Sequence, residues 1–403
     1  MDSLAEGDAF PKIHLYAENL QNIRTLSIQA SLATPSNEET KATLSNDREN
    51  LTISHDGATA TIRLPASLGE HSADRLMIPA TPRKNLSFRL QVGETRDADG
   101  SRGGSPLRGD NIIPWMASDL THDTSICCAT CEASLMKPGI INQWKDLPSE
   151  GWAEMMDFWH CHKPDVPHSH SGPVENASRG FAAISKLVAQ EGVGLVGPTN
   201  FLITPEDCKG VQVQIKATDG ASVSPLLCAQ CQTLVGILDP SAEGYKLRKT
   251  KLSISITQCL PAVCYPYEKW LSSILLTAAE SQGVRRLVVF SAAGGVGKNE
   301  VEQVMHVWLF APDLAVSSSA AESAQPMRVV KVLYHSGVPA EVEKPGGFGD
   351  VEDELELSST EWTELESLLG KSAKLLPEAA RRFQHWDVGL LMRFTRHDLN
   401  VGA

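Results

Sequence analysis

A β-rich α+β fold, built mainly of antiparallel sheets with a few helices in its C-terminal half, is predicted by three features of this chain. Its first third alternates apolar and polar residues with a period of two, as in Leu86-Ser-Phe-Arg-Leu-Gln-Val92. Clusters of Ser, Thr, Asn, Asp and Gly punctuate those segments and read as turns. Apolar residues at helical spacing fall mostly beyond residue 260, with one earlier exception around Trp152.

The elements follow in order. Lys12-Ile-His-Leu-Tyr16, Thr25-Leu-Ser-Ile-Gln-Ala30, Thr59-Ala-Thr-Ile-Arg-Leu64 and the segment ending at Val92 each suit a sheet with one buried face. Residues 96–110 have almost no apolar content, which predicts a mobile loop. Within residues 268–282, Leu271, Ile274, Leu275 and Ala278 share a helical face, and Gly283 is placed to end the helix. Arg286-Leu-Val-Val-Phe290 and Met305-His-Val-Trp-Leu-Phe310 read as strands, and residues 314–325 as a low-complexity linker. A strand at Arg328-Val-Val-Lys-Val-Leu-Tyr334 comes next. A helix is expected over residues 359–369, capped by Ser359 or Thr360 and closed by Gly370. Residues 381–393 add a last helix or strand. These segments suggest three domains: 1–120 (β), 121–260 (central) and 261–403 (α/β).

With 403 residues, 42% of them hydrophobic, the chain can bury a substantial core. Its net charge of −13 repels a phosphate backbone, so direct nucleic-acid binding is not expected. The basic stretch Lys246-Leu-Arg-Lys-Thr-Lys251 reads as the solvated face of a strand. The first eight residues carry acids where a signal peptide needs bases, and no apolar run approaches the roughly 18 residues of a membrane span. A soluble protein of a reducing compartment is the expectation, without membrane contact. Nine cysteines then point to metal binding or thiol chemistry rather than disulfides.

Four of them form two pairs, Cys128-Ala-Thr-Cys131 and Cys228-Ala-Gln-Cys231. Each such knuckle turns two thiolates toward one ion, and two knuckles complete a closed tetrahedral site for structural Zn2+. The roughly 100 residues between them exceed a zinc-ribbon spacing. The competing readings are two cysteine pairs buried as small hydrophobes, or redox pairs, which want a helix starting at the motif. Cys127 could replace a ligand, and Cys208, Cys259 and Cys264 read as structural.

Residues 147–164 are the most unusual stretch. Ser149 is a candidate N-cap, Trp152, Met155, Met156 and Trp159 recur at helical spacing as an anchoring core, and Lys163-Pro164 ends the helix. His160, Cys161 and His162 then sit at a helix end or in an exposed turn. They supplement the cysteine site, lack a chemical role, or face a partner. A second lure is Ser291-Ala-Ala-Gly-Gly-Val-Gly-Lys298. A phosphate-binding loop would have glycine at Ala292 and Ser or Thr at Asn299, so a glycine-rich β-turn is expected instead. His168 and His170 lie in a Pro/Ser loop and read as solvated.

The knuckles, Leu147-Pro-Ser-Glu-Gly-Trp152, Trp159-His-Cys-His162-x-Pro164, Gly197-x-x-x-Phe201-Leu202, Lys331-Val-Leu-Tyr334, Leu376-Pro377 and Arg381-Arg382 together resemble the HECT-like family that binds ubiquitin-conjugating enzymes. The resemblance implies a ubiquitin-protein ligase whose partners are a ubiquitin-conjugating enzyme and ubiquitin. It also implies binding to the metallo-β-lactamase-type endonuclease of mRNA 3′-end processing, in the cytoplasm and nucleus. Cys161 would be the ubiquitin acceptor or a ligand to the nuclease metal. Trp159, His160, Cys161 and His162 would meet a partner, as would Trp270 and Leu271 of the 268–282 helix. A thiolate can displace the metal-bound water that a hydrolase uses as nucleophile. A HECT-type acceptor cysteine lies near the C-terminus, however, and this sequence has none after Cys264. A zinc-stabilised binding module without ligase activity is the alternative.

Overall fold

The computed structural model of the chain describes residues 12–68, 75–93, 111–147, 188–214, 224–257, 259–292, 301–337 and 352–400. Strands β1 (Ile13–Leu20), β2 (Thr25–Leu32), β3 (Lys41–Leu44), β4 (Asn50–His55), β5 (Ala58–Arg63), β6 (Arg75–Leu76) and β7 (Asn85–Gln91) come first. Strands β8 (Ser125–Cys128), β9 (Ser134–Met136), β10 (Gln143–Asp146), β11 (Val193–Val196), β12 (Asn200–Ile203) and β13 (Val211–Val213) follow. Then come β14 (Ser224–Cys228), β15 (Leu234–Asp239), β16 (Gly244–Arg248), β17 (Leu252–Ser255) and helix α1 (Tyr267–Gln282). The rest is β18 (Arg286–Ala292), β19 (Val301–Ser318), β20 (Met327–Gly337), β21 (Glu352–Leu357), α2 (Ser359–Ser372), β22 (Arg382–Phe383), β23 (Trp386–Met392) and α3 (Arg396–Asn400). The sheets are mostly antiparallel and, among the described residues, the α-helices lie in the C-terminal half, as the patterning predicts.

The chain forms two compact units, each assembled from separated stretches of sequence. One holds Met1–Asn111, Val284–Ala292 and Val301–Arg393; the other holds Ile112–Gly283, Ala293–Glu300 and Phe394–Ala403. Strands far apart in sequence close the first unit, which local patterning cannot register.

In that unit a sheet runs β22-β23-β20-β19-β1-β2-β7, with β18 also on β19 and β21 parallel to β18. β19 is its spine. Its first half pairs with β18 (Phe290↔Val304) and its second half with β1 (Tyr16↔Ser318), while β20 runs beside both. Register shifts at Leu309/Ala311 and Ala311/Leu314 allow one long strand to serve two neighbours. Alternate residues of β1, β2 and β7 pack on a second sheet, β5-β4-β3-β6, with Leu15, Ile28, Leu51 and Ile53 fully buried between them. This two-sheet packing is what the period-two segments encode.

Three local expectations change here. Residues 314–318 belong to β19, with Leu314 and Val316 buried, so the expected linker shrinks to a turn after Ser318. The Ala/Ser composition masks the alternation; Ser318 is buried and donates to the Leu375 carbonyl at 2.7 Å. Ser358, one residue before the expected cap, caps α2: the Ser358 backbone N–H donates to the Glu361 carboxylate at 3.1 Å, closing a capping box. Gly370 lies inside α2, which runs on to Ser372. Residues 381–393 form strands β22 and β23, and β18 pairs antiparallel with β19, which begins at Val301; residues 293–300 lie outside the described residues. A strand thus stands at Val301, where a phosphate-binding loop would lead into a helix.

The other unit contains the sheet β10-β11-β12-β16-β15-β14-β13 and the three-stranded β17-β8-β9. Ile126, Leu226, Val235 and Leu247 fill its core beside Trp115, Trp270 and Phe394. α1 ends at Gly283, in the left-handed conformation (φ 69°) that suits glycine. No helix among the described residues is long and apolar enough to cross a membrane.

The basic stretch is only partly a solvated strand face. Lys249 follows β16 in a short helical turn and is fully buried. Its Nζ donates to the carbonyls of Pro114 (3.2 Å) and Trp115 (2.9 Å) and lies 5.1 Å from the Phe201 ring centroid. Burial drives its pKa down to about 7, against the pull of Asp119 and Asp146. Between about pH 7 and the unfolded pKa of about 10.4, the unfolded chain holds a proton that the folded chain has released. This contribution to stability therefore rises across that window, and is flat at its lowest value below pH 7. Lys249→Met removes it. Urea unfolding at about pH 7 and about pH 10 should show the wild-type stability, relative to the variant, rising by a few kcal/mol. A difference that stays constant with pH would contradict this assignment.

Candidate metal centre

Each CxxC motif occupies a hairpin end, and the two ends are built alike. In the first, β8 delivers Cys128, the chain reverses through Glu132 (φ 59°), and β9 leaves. In the second, β14 delivers Cys228, Gln232 (φ 60°) makes the reversal, and β15 leaves. The Cys128 N–H donates to the Ala133 carbonyl and the Cys228 N–H to the Thr233 carbonyl, both at 2.9 Å. The Glu132 and Gln232 N–H groups return to the carbonyls of Cys128 and Cys228, again at 2.9 Å. The knuckles sit close together because Gly210 passes against the first hairpin. Its N–H donates to Leu135 O at 3.2 Å, and a Cβ there would lie 2.2 Å from Ser134 O.

The hairpins bring four sulfurs together. Cys128 Sγ and Cys231 Sγ are 3.7 Å apart, as are Cys131 Sγ and Cys228 Sγ, and all four lie within 4.8 Å of one another. Sulfurs held about 2.3 Å from a central ion stand about 3.8 Å apart in a regular tetrahedron. Cys128 and Cys228 are buried, while Cys131 and Cys231 are partly exposed. This group could hold a metal ion.

The electrostatics favour a cation. The Thr233 hydroxyl (3.2 Å) and backbone N–H stabilise the Cys231 thiolate and bring its pKa down to about 6. The Ala133 N–H favours the Cys131 thiolate, but crowding by Cys231 and Cys228 and burial outweigh it and drive Cys131 up to about 12. Burial also raises Cys128. Neighbouring thiols thus resist joint ionisation, and a central cation removes that conflict.

The remaining expected site residues fare differently. Cys127 is not among the four, and burial raises its thiol. Cys208 is buried, with its thiol pushed up to about 12 by burial, whereas Cys259 and Cys264 are exposed. Trp159, His160, Cys161 and His162 lie outside the described residues, as do residues 96–110 and His168 and His170. Trp270 and Leu271, expected to meet a partner, are 1% and 0% exposed. Trp270 packs against Phe394 and Trp115, so these two side chains anchor the interior and present no partner surface. Thr233 escaped the sequence reading; its signal was a hydroxyl residue two positions after a knuckle.

Fold and site together define a β-rich protein whose distant hairpins meet at a four-thiol centre. The chain belongs to the HECT-like ubiquitin-conjugating enzyme (E2)-binding family, which matches it over residues 18–388. It is 27% identical over 298 residues to an uncharacterized protein of Schizosaccharomyces pombe, covering 70% of this chain and 78% of that one. It is 26% identical over 276 residues to an uncharacterized protein of Saccharomyces cerevisiae, covering 68% and 71%. No solved structure matches the chain.

Purified chain should contain one metal equivalent by elemental analysis. Cys128→Ser or Cys231→Ser should lower both metal content and melting temperature, whereas Cys127→Ser should retain the metal. Equal metal loss from all three variants would reject the assigned ligand set.

Proposed function

We propose that this protein is a zinc-stapled binding factor of the ubiquitin system that docks a ubiquitin-conjugating enzyme. The observation that carries the zinc reading is the closed set of four sulfurs, two pairs of them 3.7 Å apart and all within 4.8 Å of one another. All-thiolate tetrahedra select zinc or iron–sulfur centres, and a site filled by four protein ligands leaves no position for substrate. Zinc there neutralises the thiolates and cross-links hairpins 97 and 103 residues apart. The family membership supports the enzyme-binding reading.

Ubiquitin transfer and nuclease inhibition are finer proposals that both need a spare thiol. Four of the nine cysteines belong to the cluster and Cys208 is buried, while Cys259 and Cys264 are exposed. Cys161, between two histidines, is the one we assign to partner chemistry. In ubiquitin transfer its thiolate would attack the thioester carbonyl of the loaded conjugating enzyme and release that enzyme's cysteine thiolate. In the second reading it would ligate the metal of the mRNA 3′-end processing endonuclease; the cytoplasm and nucleus are the compartments we propose.

Full-length protein should co-sediment with at least one of a panel of conjugating enzymes. With activating enzyme, ATP and ubiquitin, a reductant-sensitive adduct should form and disappear in Cys161→Ala. Binding without an adduct leaves a docking factor, and no binding to any member of the panel would reject the proposal. Independently, Cys161→Ala should relieve inhibition of the endonuclease; unchanged inhibition would remove the metal-ligand reading.

A further inference from the structure

The two halves of the sulfur cluster are near copies of one another. Their residues correspond at one constant spacing, Cys128 with Cys228, Ala129 with Ala229 and Cys131 with Cys231. A third strand joins each hairpin in the same register, with Leu252 opposite Cys128 and Val211 opposite Cys228. The Ala129 N–H donates to the Lys251 carbonyl and the Ala229 N–H to the Gly210 carbonyl, both at 3.0 Å. The first sulfur of each knuckle stands 3.7 Å from the second sulfur of the other. Such reciprocal, equal contacts are the pattern of a two-fold axis, here running through the centre of a single chain.

Two differences break this symmetry, and both favour the second half. Thr233 Oγ1 lies 3.2 Å from Cys231 Sγ, while its counterpart Ala133 has no hydroxyl. Against a thiolate that hydroxyl donates, and groups that orient a metal ligand in this way raise affinity about 10–100-fold. The strand frameworks differ as well. β14 and β15 pair from Ser224↔Leu238 to Leu227↔Leu234 and lie inside the seven-stranded sheet, with β13 on one side and β16 on the other. β8 and β9 pair only at Ile126↔Met136 and Cys127↔Ser134, in a three-stranded sheet whose edge is β9. Local opening is drawn from short edge ladders of this kind before it reaches the interior of a larger sheet.

We propose that Cys228 and Cys231 take up the metal first and release it last, and that the first knuckle closes over it afterwards. A pair already held by its sheet has only to lose its protons to bind. A pair that the ion must also order loses part of its binding energy to that ordering. The centre therefore loads and unloads through Cys128 and Cys131. Metal limitation opens the β8–β9 hairpin while β14 and β15 remain paired. Thr233 is a positioning residue that acts on the ion through Cys231. This inference rests on the metal reading above and is independent of enzyme binding.

Full-length protein saturated with Zn2+ is first assayed by elemental analysis, then titrated with EDTA while amide hydrogen exchange is followed by mass spectrometry. Protein that holds no metal would remove the metal reading, and this inference with it. With metal bound, residues 132–136 should lose protection at a lower EDTA concentration than residues 232–236. Simultaneous or reversed loss would overturn the order of release and leave the metal reading intact. A chromogenic chelator isolates the hydroxyl. Thr233→Val should release zinc about tenfold faster than wild type, and Thr233→Ser at the wild-type rate. Equal rates from both variants, fast or slow, would overturn the positioning role. The exchange experiment needs no variant, so it decides the order of release even if Thr233→Val is unstable.

Discussion

Four thiols within 4.8 Å of one another resist joint ionisation, a conflict that a central cation would remove, and two like-built hairpins bring them together. The left-handed turns at Glu132 and Gln232 and the backbone donors around Cys131 and Cys231 aim sulfurs inward at ordinary hairpin ends. A shared ion would link chain segments 97 and 103 residues apart. A cross-link spanning a loop of that length restricts the unfolded chain by about 4–5 kcal/mol in the chain-entropy picture, which is comparable to the whole stability of many domains. The strands β8 and β9 that flank the first knuckle are short.

The other unit solves a different problem, joining an N-terminal meander to strands that arrive almost three hundred residues later. β19 does this by changing partner along its length, with two register shifts absorbing the change of direction. α2 then covers β23, whose Gly389 makes room for Leu369; a Cβ at Gly389 would stand 2.6 Å from the Leu369 side chain. The Ser358–Glu361 capping box sets where that helix starts. Such contacts involve one or two residues each and leave little trace in an averaged sequence pattern.

These observations separate stabilising residues from those available for partners. Four cysteines are committed to the centre, and Trp270 and Leu271 to the interior of the molecule. Family membership places the chain among proteins that engage ubiquitin-conjugating enzymes. An ion held by all four sulfurs would hold a shape, because it would have no vacant position for chemistry.

The β-rich class, the start of the first strands, the α1 helix with its glycine stop and the four-sulfur set were legible in the sequence. Each rests on short-range periodicity or on a motif of two cysteines three positions apart. What the chain does at long range was not: β19 joining β1 and β18, serines continuing a strand after Leu314, and Lys249 passing from an apparent solvated face into the core. Trp270 follows the same rule, since a tryptophan on an amphipathic helix has identical periodicity whether it faces a partner or the interior. Periodicity says which residues share a face. Only the tertiary structure decides what covers that face, because burial depends on segments hundreds of residues away.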